Sequence, residues 1–569
     1  MEASNTLLSY VSGCGTHPLL YKTIGAAFDE MVAMQGDRDA IVVCHQNVRL
    51  TYAELAVRVD AFASGLLALG LEPGDRIGIW SPNNLEWVIT QLATAKAGMI
   101  LVNINPAYRV AELEYCLNKV GCRALVLAER FKSSDYCVMI AELAPEVAEA
   151  LPGAFQIAGL PELEWLIAIN DTPPAGYLSF AGVEDAGTAE SDAVLAALGT
   201  RLQPEEAINI QFTSGTTGSP KGAVLTHHNI LNNGFFSGLR MGLGPDDRLC
   251  IPVPLYHCFG MVLGVLSCIT HGACMVFPSE AFDARGVLEA VETERCTGLH
   301  GVPTMFIAEL EHPDFASFDL SSLRTGILAG APCPVEVMKR VIGQMHMTDV
   351  TIGYGMTEVS PLSFQTLASD TLQQRVETVG RVQDFVEAKI VGSDGRVVSR
   401  GTQGEILFRG YSVMQGYWDD PDRTGEAIDR AGWIRSGDLA TMDADGYVRI
   451  TGRAKDMIIR GGENIYPREI EEFLHRHPDV QEAQVFGVPD DRFGEEVCVW
   501  IRAGSPDLTE AALREFCRGQ IAHFKVPRHF RFVTEYPTTV TGKIQKFAMR
   551  EVMLVELVAK SATQAKELL

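Results

Sequence analysis

The sequence predicts an α/β protein: a large N-terminal domain of layered α/β subdomains with a small β-rich subdomain, residues 1–454, and a small α+β C-terminal domain, residues 455–569. Three observations predict it. Strand-like apolar runs alternate with helical periodicity through most of the chain. From about Gly380 to Tyr447 the pattern changes to short strands with Asp-Gly turns, as in Glu387-Ala-Lys-Ile-Val391 before Asp394-Gly395. Beyond the charged Gly452-Arg-Ala-Lys-Asp456, read as a hinge or boundary, a new α+β rhythm begins. A chain of 569 residues also exceeds what one hydrophobic core serves, so more than one domain is expected.

Taken in order, Thr51-Tyr-Ala-Glu54 is a capping box, after which Leu55, Val59, Phe62, Leu66 and Leu69 fall on one helical face until Gly70 stops the helix. Pro73-Gly-Asp75 turns the chain into the strand Arg76–Trp80, Leu85–Ala97 is a second helix, and Met99–Ile104 is again strand-like. Ala124–Leu127, a helix near Asn229 and a strand over Leu249–Val253 continue an order that favours parallel strands. Met261–Phe277 is very apolar but is interrupted by Thr270, His271 and Gly272, so it reads as buried core rather than a membrane span. In the C-terminal part, helices over 467–475 and 508–520 flank strands over 481–488 and 497–502.

The alternating Ala207-Ile-Asn-Ile-Gln-Phe212 reads as a half-buried strand and Ala223-Val-Leu225 as a short second one. Between them lies Thr213-Ser-Gly-Thr-Thr-Gly-Ser-Pro-Lys-Gly222. Gly215 and Gly218 let the backbone approach a ligand, Ser214, Thr216, Thr217 and Ser219 add hydroxyl donors, and Lys221 adds a positive charge, a set suited to a polyphosphate. The Walker pattern is excluded, because Pro220 stands where its second glycine belongs and Gly222 follows the lysine.

Tyr354-Gly-Met-Thr-Glu358 follows the strand-like Val350–Ile352 and is expected on a loop, where Glu358 can share a magnesium ion with nucleotide phosphates; a capping or ion-paired glutamate is the plain alternative. In Gly432-Trp-Ile-Arg-Ser-Gly-Asp438, the carboxylate of Asp438 can accept both hydroxyls of a ribose or merely cap a turn. Asp443-Ala-Asp445-Gly446 fails the spacing of a calcium loop and is read as a hairpin turn. His257, among apolar neighbours and with no second histidine at ligand spacing, shapes a pocket rather than binding metal, and His227-His228 and His475/His477 are read as surface or cap residues. Near the C-terminus, Lys543 is presented on a Thr-Gly turn in Tyr536-Pro-Thr-Thr-Val-Thr-Gly-Lys-Ile-Gln-Lys546, where it can neutralise charge developing on a transferring phosphoryl or carboxyl oxygen or be merely an exposed basic turn.

A formal charge of −25 disfavours nucleic acid and acidic membrane surfaces as partners. Thirteen cysteines without a Cys-x-x-Cys pair point to reduced thiols in the cytosol, and the first residues carry neither a secretory nor a transit signal.

In this order the Thr/Ser/Gly loop ending in Pro220-Lys-Gly222, Tyr354-Gly-Met-Thr-Glu358, Ser436-Gly-Asp438, Gly452-Arg-Ala-Lys-Asp456 and the Pro537 to Gly542-Lys543 segment resemble the adenylate-forming superfamily of acyl-CoA synthetases, luciferases and peptide-synthetase adenylation domains. Thr541–Phe547 and Ile521–Pro527 look most like medium- and longer-chain fatty acyl-CoA synthetases. The resemblance implies that a fatty carboxylate attacks ATP to give acyl-adenylate and pyrophosphate, after which coenzyme A displaces AMP. It implies catalytic roles for Lys543, Thr357 and Glu358, with ATP, magnesium and coenzyme A as the small molecules required. It places Thr213, Ser214, Gly215, Thr216, Thr217, Gly218 and Lys221 on the phosphates; Gly330, Ala331, Pro332, Tyr354, Gly355 and Met356 at the adenylate; and Asp438 and Arg453 on the ribose. His257, Ala329 and Gly353 then fall at the acyl pocket, Gly461, Gly462 and Glu463 near the pantetheine, and Phe493, Phe524 and Arg528 near coenzyme A. Lys455 matches a hinge about which a mobile C-terminal domain turns between the half-reactions.

Overall fold

The computed structural model describes residues 7–567 apart from 214–219, 332, 454, 462, 491, 519 and 540–543, with backbone only at 464 and 558–567. The chain divides into two compact units, one of Ser12–Ala388 with Phe408–Ile434, the other of Lys389–Leu407 and Arg435–Leu569 with the described residues up to Val11. Position 454/455 falls inside the second.

The first unit holds two large sheets. In the nine-stranded sheet the order is Arg381–Val382, Leu362–Gln365, Asp349–Gly355, Thr325–Ala329, Gly298–Leu299, Arg248–Cys250, Cys274–Phe277, Asp39–Val43, Val48–Thr51. Its centre is parallel, from Asp349–Gly355 through to Asp39–Val43. The eight-stranded sheet runs Leu178–Ser179, Trp165–Ala168, Cys122–Leu127, Arg76–Trp80, Ile100–Asn103, Ala207–Thr213, Lys221–Thr226, Gly416–Tyr417, parallel as far as Ala207–Thr213. Helices cover these sheets for the reasons the sequence supplies. Thr51 and Glu54 close both hydrogen bonds of the capping box at the start of Tyr52–Ala68, and Leu55, Val59, Phe62 and Leu66 are fully buried. On that helix Gly65 is fixed by close approach, since a Cβ would stand 1.8 Å from the Val183 carbonyl oxygen.

The apolar stretch from Met261 is buried except at the half-buried Thr270 and His271, as Phe259–Leu266 wound as a π-helix, Ser267–His271 and the strand Cys274–Phe277. No helix among the described residues is long and apolar enough to cross a membrane. The Asp443–Gly446 turn joins the antiparallel strands Ile434–Met442 and Val448–Arg453, with Gly446 at φ 88°.

Three expectations are corrected. The strand Ala207–Thr213 is not half buried: Asn209 and Gln211 are 1% and 3% exposed, because the strand lies between Ile100–Asn103 and Lys221–Thr226 with both faces covered. Tyr354 and Gly355 are not on a loop but end the strand Asp349–Gly355, and a 3-10 turn, Thr357–Val359, carries only the last residues of that motif. His227 is not at the surface: it is 0% exposed, and its Nδ1 accepts the Ile24 N–H at 3.1 Å, a partner 203 residues away.

Burial lowers the His227 pKa to about 3 and that of His300 to about 4, against an ordinary 6.5. Folding holds both rings neutral, so their contribution is full above the unfolded value and is lost as pH falls below it. Each is expected to cost about 1.4 kcal/mol per pH unit between about 6.5 and 4.5, read as a falling denaturation midpoint in urea titrations at pH 7, 6 and 5.

The second unit contains the small β-rich subdomain and the α+β C-terminal fold. Most of a five-stranded sheet ordered Tyr10–Ser12, Val386–Val391, Gly404–Gly410, Ile434–Met442, Val448–Arg453 lies in it. The strand Val448–Arg453 is tied to the C-terminal residues by Arg468, whose Nη1 donates to the Ile450 carbonyl at 2.7 Å. Glu463–Ile465, Ile458–Arg460, Gly494–Ala503 and Val480–Asp490 form a further sheet, with His529–Phe532 beside Gly494–Ala503. The helices Pro467–Leu474 and Glu510–Cys517 bury Ile470, Leu474, Leu513 and Cys517 in its core.

Candidate active site

In both large sheets the residues singled out in the sequence emerge at the carboxyl ends of parallel strands, where α/β sheets bind ligands. Thr213 ends Ala207–Thr213, Ala329 ends Thr325–Ala329, and Tyr354 and Gly355 end Asp349–Gly355. Gly330 turns the chain at φ 86° and, with Ala331, is exposed, while Ala329 is buried. His257 follows the strand Arg248–Cys250, and its Nδ1 accepts the Phe259 N–H at 3.2 Å. Ser214, Gly215, Thr216, Thr217, Gly218 and Pro332 lie outside the described residues.

The hairpin register explains how the phosphate-like loop is held at its ends. Thr213 pairs with Lys221 across the antiparallel strands Ala207–Thr213 and Lys221–Thr226, and the Tyr115 hydroxyl donates to the Pro220 carbonyl at 3.0 Å. Lys221–Thr226 pairs in turn with Gly416–Tyr417, which brings in a residue that sequence reasoning missed. The Tyr417 hydroxyl donates to Glu358 Oε1 at 3.0 Å, and the Thr213 hydroxyl donates to the same oxygen at 3.3 Å. Lys221 Nζ stands 4.8 Å from the centre of the Tyr417 ring, a cation over an aromatic face. Burial first, and the Glu358 carboxylate second, push the Tyr417 pKa well above its ordinary value, so Tyr417 remains a donor. Nothing local in Gly416-Tyr417-Trp418 signals this role, because its partner is 59 residues away.

Two glycines of the motif region have packing reasons. A Cβ at Gly355 would stand 1.8 Å from the Pro361 carbonyl oxygen, and one at Gly353 would stand 3.0 Å from Leu362 Cδ2 and 3.2 Å from Ile327 Cγ2. The backbone carbonyl of Glu358 accepts the Met414 N–H at 3.0 Å, fixing the turn that presents Thr357 and Glu358. Among the described residues the side-chain hydrogen bonds to Glu358 fall on Oε1, and no group of three or more His, Cys, Asp or Glu is placed to hold a metal ion. That donor set suits a hard cation shared between one carboxylate and nucleotide phosphates, not an all-protein cage.

In the second unit, Asp438 and Arg453 face each other in register on Ile434–Met442 and Val448–Arg453, with Arg453 Nε 3.2 Å from Asp438 Oδ1. Arg460 and Glu463 pair across a tight turn; Gly461, at φ 59°, donates its N–H to the Phe493 carbonyl at 2.8 Å, and Gly462 is outside the described residues. Phe493 lies under Arg460 and Arg492, at 4.4 and 5.0 Å, and Arg460 grips the fully buried Glu496 through Nε and Nη2 at 2.7 and 2.8 Å. Arg528 reaches the same carboxylate at 3.3 Å, so Phe493 and Arg528 do come together, whereas Phe524 packs against the C-terminal core. Burial opposes the charge on Glu496, but its two arginine partners hold its pKa below the ordinary value. Lys455 lies two residues beyond Arg453 in the sequence and is exposed. Lys543 lies outside the described residues; Thr538 and Ile544 pair antiparallel on either side of that segment, and Lys546 Nζ is bound to Glu471 at 2.6 Å and to the Val485 carbonyl at 2.9 Å.

With this geometry in place, the comparison with known families is decisive. The AMP-binding enzyme family matches residues 28–418, and the AMP-binding enzyme C-terminal domain matches 469–543. The chain belongs to the AMP-binding enzyme family. Among relatives, the medium-chain acyl-CoA ligase ACSF2, mitochondrial, of Macaca fascicularis is 48% identical over 553 residues, covering 96% of this chain and 89% of that protein. The putative acyl-CoA synthetase YngI of Bacillus subtilis is 48% identical over 548 residues, covering 96% and 100%. Among solved structures, the anthranilate CoA ligase AuaEII in complex with anthranoyl-AMP matches with a TM-score of 0.83 at 27% identity, covering 95% of this chain and 99% of that one. AMP-binding enzymes of this kind use ATP and coenzyme A.

Proposed function

We propose that this AMP-binding enzyme is a medium-chain fatty acyl-CoA ligase. It activates a fatty carboxylate as acyl-adenylate with release of pyrophosphate, then transfers the acyl group to coenzyme A with release of AMP. The observation that carries this reading is the 48% identity to a medium-chain acyl-CoA ligase across 96% of the chain. No covalent enzyme intermediate is required, so the residues act by positioning and electrostatics.

In this reading the 213–222 loop and Lys221 hold the phosphates, Asp438 and Arg453 hold the ribose, and His257, Ala329 and Gly353 border the acyl chain. Tyr354, Gly355, Met356, Gly330, Ala331 and Pro332 border the adenylate. Glu358, whose Oε1 accepts from the hydroxyls of Thr213 and Tyr417, would hold a magnesium ion shared with the nucleotide phosphates. The chemistry such an ion would supply is neutralisation of the phosphate charge. Lys543 acts in the first half-reaction, and residues 455–569 turn about Lys455 before the second, when Gly461, Gly462 and Glu463 border the pantetheine. A cytosolic location and a homodimer belong to the same proposal; all thirteen cysteines are free thiols, in keeping with a reducing compartment.

The test is pyrophosphate release with a panel of acids from acetate to palmitate, with and without coenzyme A. The expected result is release that depends on the acid and is greatest for medium chains, with AMP appearing only when coenzyme A is added. Acid-dependent pyrophosphate without coenzyme A-dependent AMP would instead indicate an adenylate-forming enzyme with another acceptor. No acid-dependent pyrophosphate at all would indicate a nucleotide-binding regulator.

A further inference from the structure

The helix His227–Met241 buries three asparagines, Asn229, Asn232 and Asn233, which are 7%, 0% and 0% exposed. Asparagine is a weak helix former and its amide is costly to bury unless bonded, so three of them in one helix serve something other than helix stability. Asn229 and Asn233 stand one turn apart on the same face. Asn233 grips one side of the Thr357–Val359 turn: its Oδ1 accepts the Leu362 N–H at 3.0 Å and its Nδ2 donates to the Leu362 carbonyl at 2.8 Å, as a neighbouring strand would. Asn229 grips the other side. Its Oδ1 accepts the Thr226 N–H at 2.9 Å in the capping box, while Nδ2 donates to the Tyr411 carbonyl and, at 3.3 Å, to the Val413 carbonyl.

The segment Tyr411–Tyr417, held by Asn229, is stretched across the turn and bonds to it repeatedly. The Ser360 hydroxyl donates to the Ser412 carbonyl at 2.7 Å, and the Met414 N–H donates to the Glu358 carbonyl at 3.0 Å. The Gln415 N–H donates to the Val224 carbonyl at 3.0 Å, and the Tyr417 hydroxyl ends on Glu358 Oε1. One segment therefore fixes both the backbone and the carboxylate of Glu358. The turn follows a strand of the nine-stranded sheet, whereas Thr213 and Tyr417 belong to the eight-stranded one, so this segment also sets the two halves of the site against each other. Small misplacements of a catalytic group are costly, and a fully satisfied polar network prevents them. Asn232 makes the same pair of bonds away from the site, with Oδ1 accepting the Leu20 N–H at 2.7 Å and Nδ2 donating to the Leu20 carbonyl at 3.0 Å. It is a built-in control, equal in burial and bonding but not joined to the turn.

We propose that Asn229 and Asn233 are positioning residues, a clamp that sets Glu358 for acyl-adenylate formation. The inference rests on the ligase reading and on the role of Glu358 in it. The test combines kcat and KM for acid-dependent pyrophosphate release with amide hydrogen exchange of the ligand-free protein, folding being checked by thermal unfolding. Asn233→Ala and Asn232→Ala each strip two backbone partners from a buried site, so both are expected to lower the unfolding temperature to a similar extent. Only Asn233→Ala is expected to lose kcat, by about tenfold or more, with KM for ATP within about threefold, since positioning acts on the transition state rather than on uniform binding. Asn229→Asp keeps the acceptor for Thr226 and places a tolerated charge in the first helical turn, but it loses the donors to Tyr411 and Val413. It is expected to lose kcat likewise and to speed exchange at the Met414 and Gln415 amides by about tenfold or more. Asn232→Ala is expected to leave kcat within about twofold and those amides protected. In Glu358→Gln, where the clamp has no carboxylate to place, adding Asn233→Ala is expected to cause less than about a twofold further loss. If an asparagine variant does not fold, Ser360→Ala, which removes only the bond to Ser412, takes its place with the same expected faster exchange and non-additivity. Equal kcat losses in Asn232→Ala and Asn233→Ala, additive losses with Glu358→Gln, or unchanged exchange at Met414 and Gln415 overturn the clamp while leaving the ligase reading intact. Absence of acid-dependent pyrophosphate release from the unsubstituted protein overturns the ligase reading itself.

Discussion

Glu358→Gln is expected to lower acid-dependent pyrophosphate release by about 10²-fold, with the magnesium concentration for half-maximal rate displaced upward. The substitution is informative because of what surrounds the carboxylate. Its Oε1 accepts from the Tyr417 hydroxyl at 3.0 Å and from the Thr213 hydroxyl at 3.3 Å. An amide oxygen still accepts both hydrogen bonds, though more weakly than a carboxylate, so the glutamine side chain keeps its place while the negative charge is lost. A structural glutamate would tolerate that exchange with little change; a carboxylate that shares a cation with phosphates would not. Tyr417→Phe supplies the converse. It keeps the ring beneath Lys221 at 4.8 Å and removes only the hydroxyl, and a loss below about tenfold is expected, the scale of one hydrogen bond to a charged group. Magnesium titrations of the two variants check both outcomes. An unshifted magnesium dependence in Glu358→Gln would remove the metal from this carboxylate.

Lys543→Ala is expected to reduce adenylation by about 10³-fold and to leave thioester formation from supplied acyl-adenylate within about threefold of normal. The basis is the resemblance of the Gly542-Lys543 segment to the family motif, together with what the structure says of its neighbour. Lys546 is committed to Glu471 and to the Val485 carbonyl, so it anchors the helix Lys546–Glu567 against the C-terminal sheet. Lys546→Ala is therefore expected to lower stability, by about 1 kcal/mol, with little effect on either half-reaction. Measuring the two half-reactions separately checks the assignment. Equal loss of both in Lys543→Ala would mean that the lysine supports the fold or both active conformations rather than the first step alone.

Much of this protein is written locally. The capping box at Thr51 and Glu54, the helix Leu85–Ala97, the hairpin at Asp443–Gly446 and the glycine stops need only neighbours within a few residues, and local hydrogen bonds and apolar periodicity decide them. The motifs were legible for the same reason, since each is a run of adjacent residues. Asp438 and Arg453 belong to separate motifs of the sequence, and the register of one strand pair brings them within 3.2 Å.

By itself, the sequence determined the α/β class, the order of its elements and the family. Only the tertiary structure decided that Tyr417 shares Glu358 with Thr213, that Asn209 and Gln211 lie inside a sheet rather than on its face, and that His227 is buried against the backbone of Ile24. The physical reason is common to all three. Burial and hydrogen-bond partnership are properties of pairs, and these pairs are separated by 59, 106 and 203 residues along the chain, distances across which periodicity and propensity carry no information.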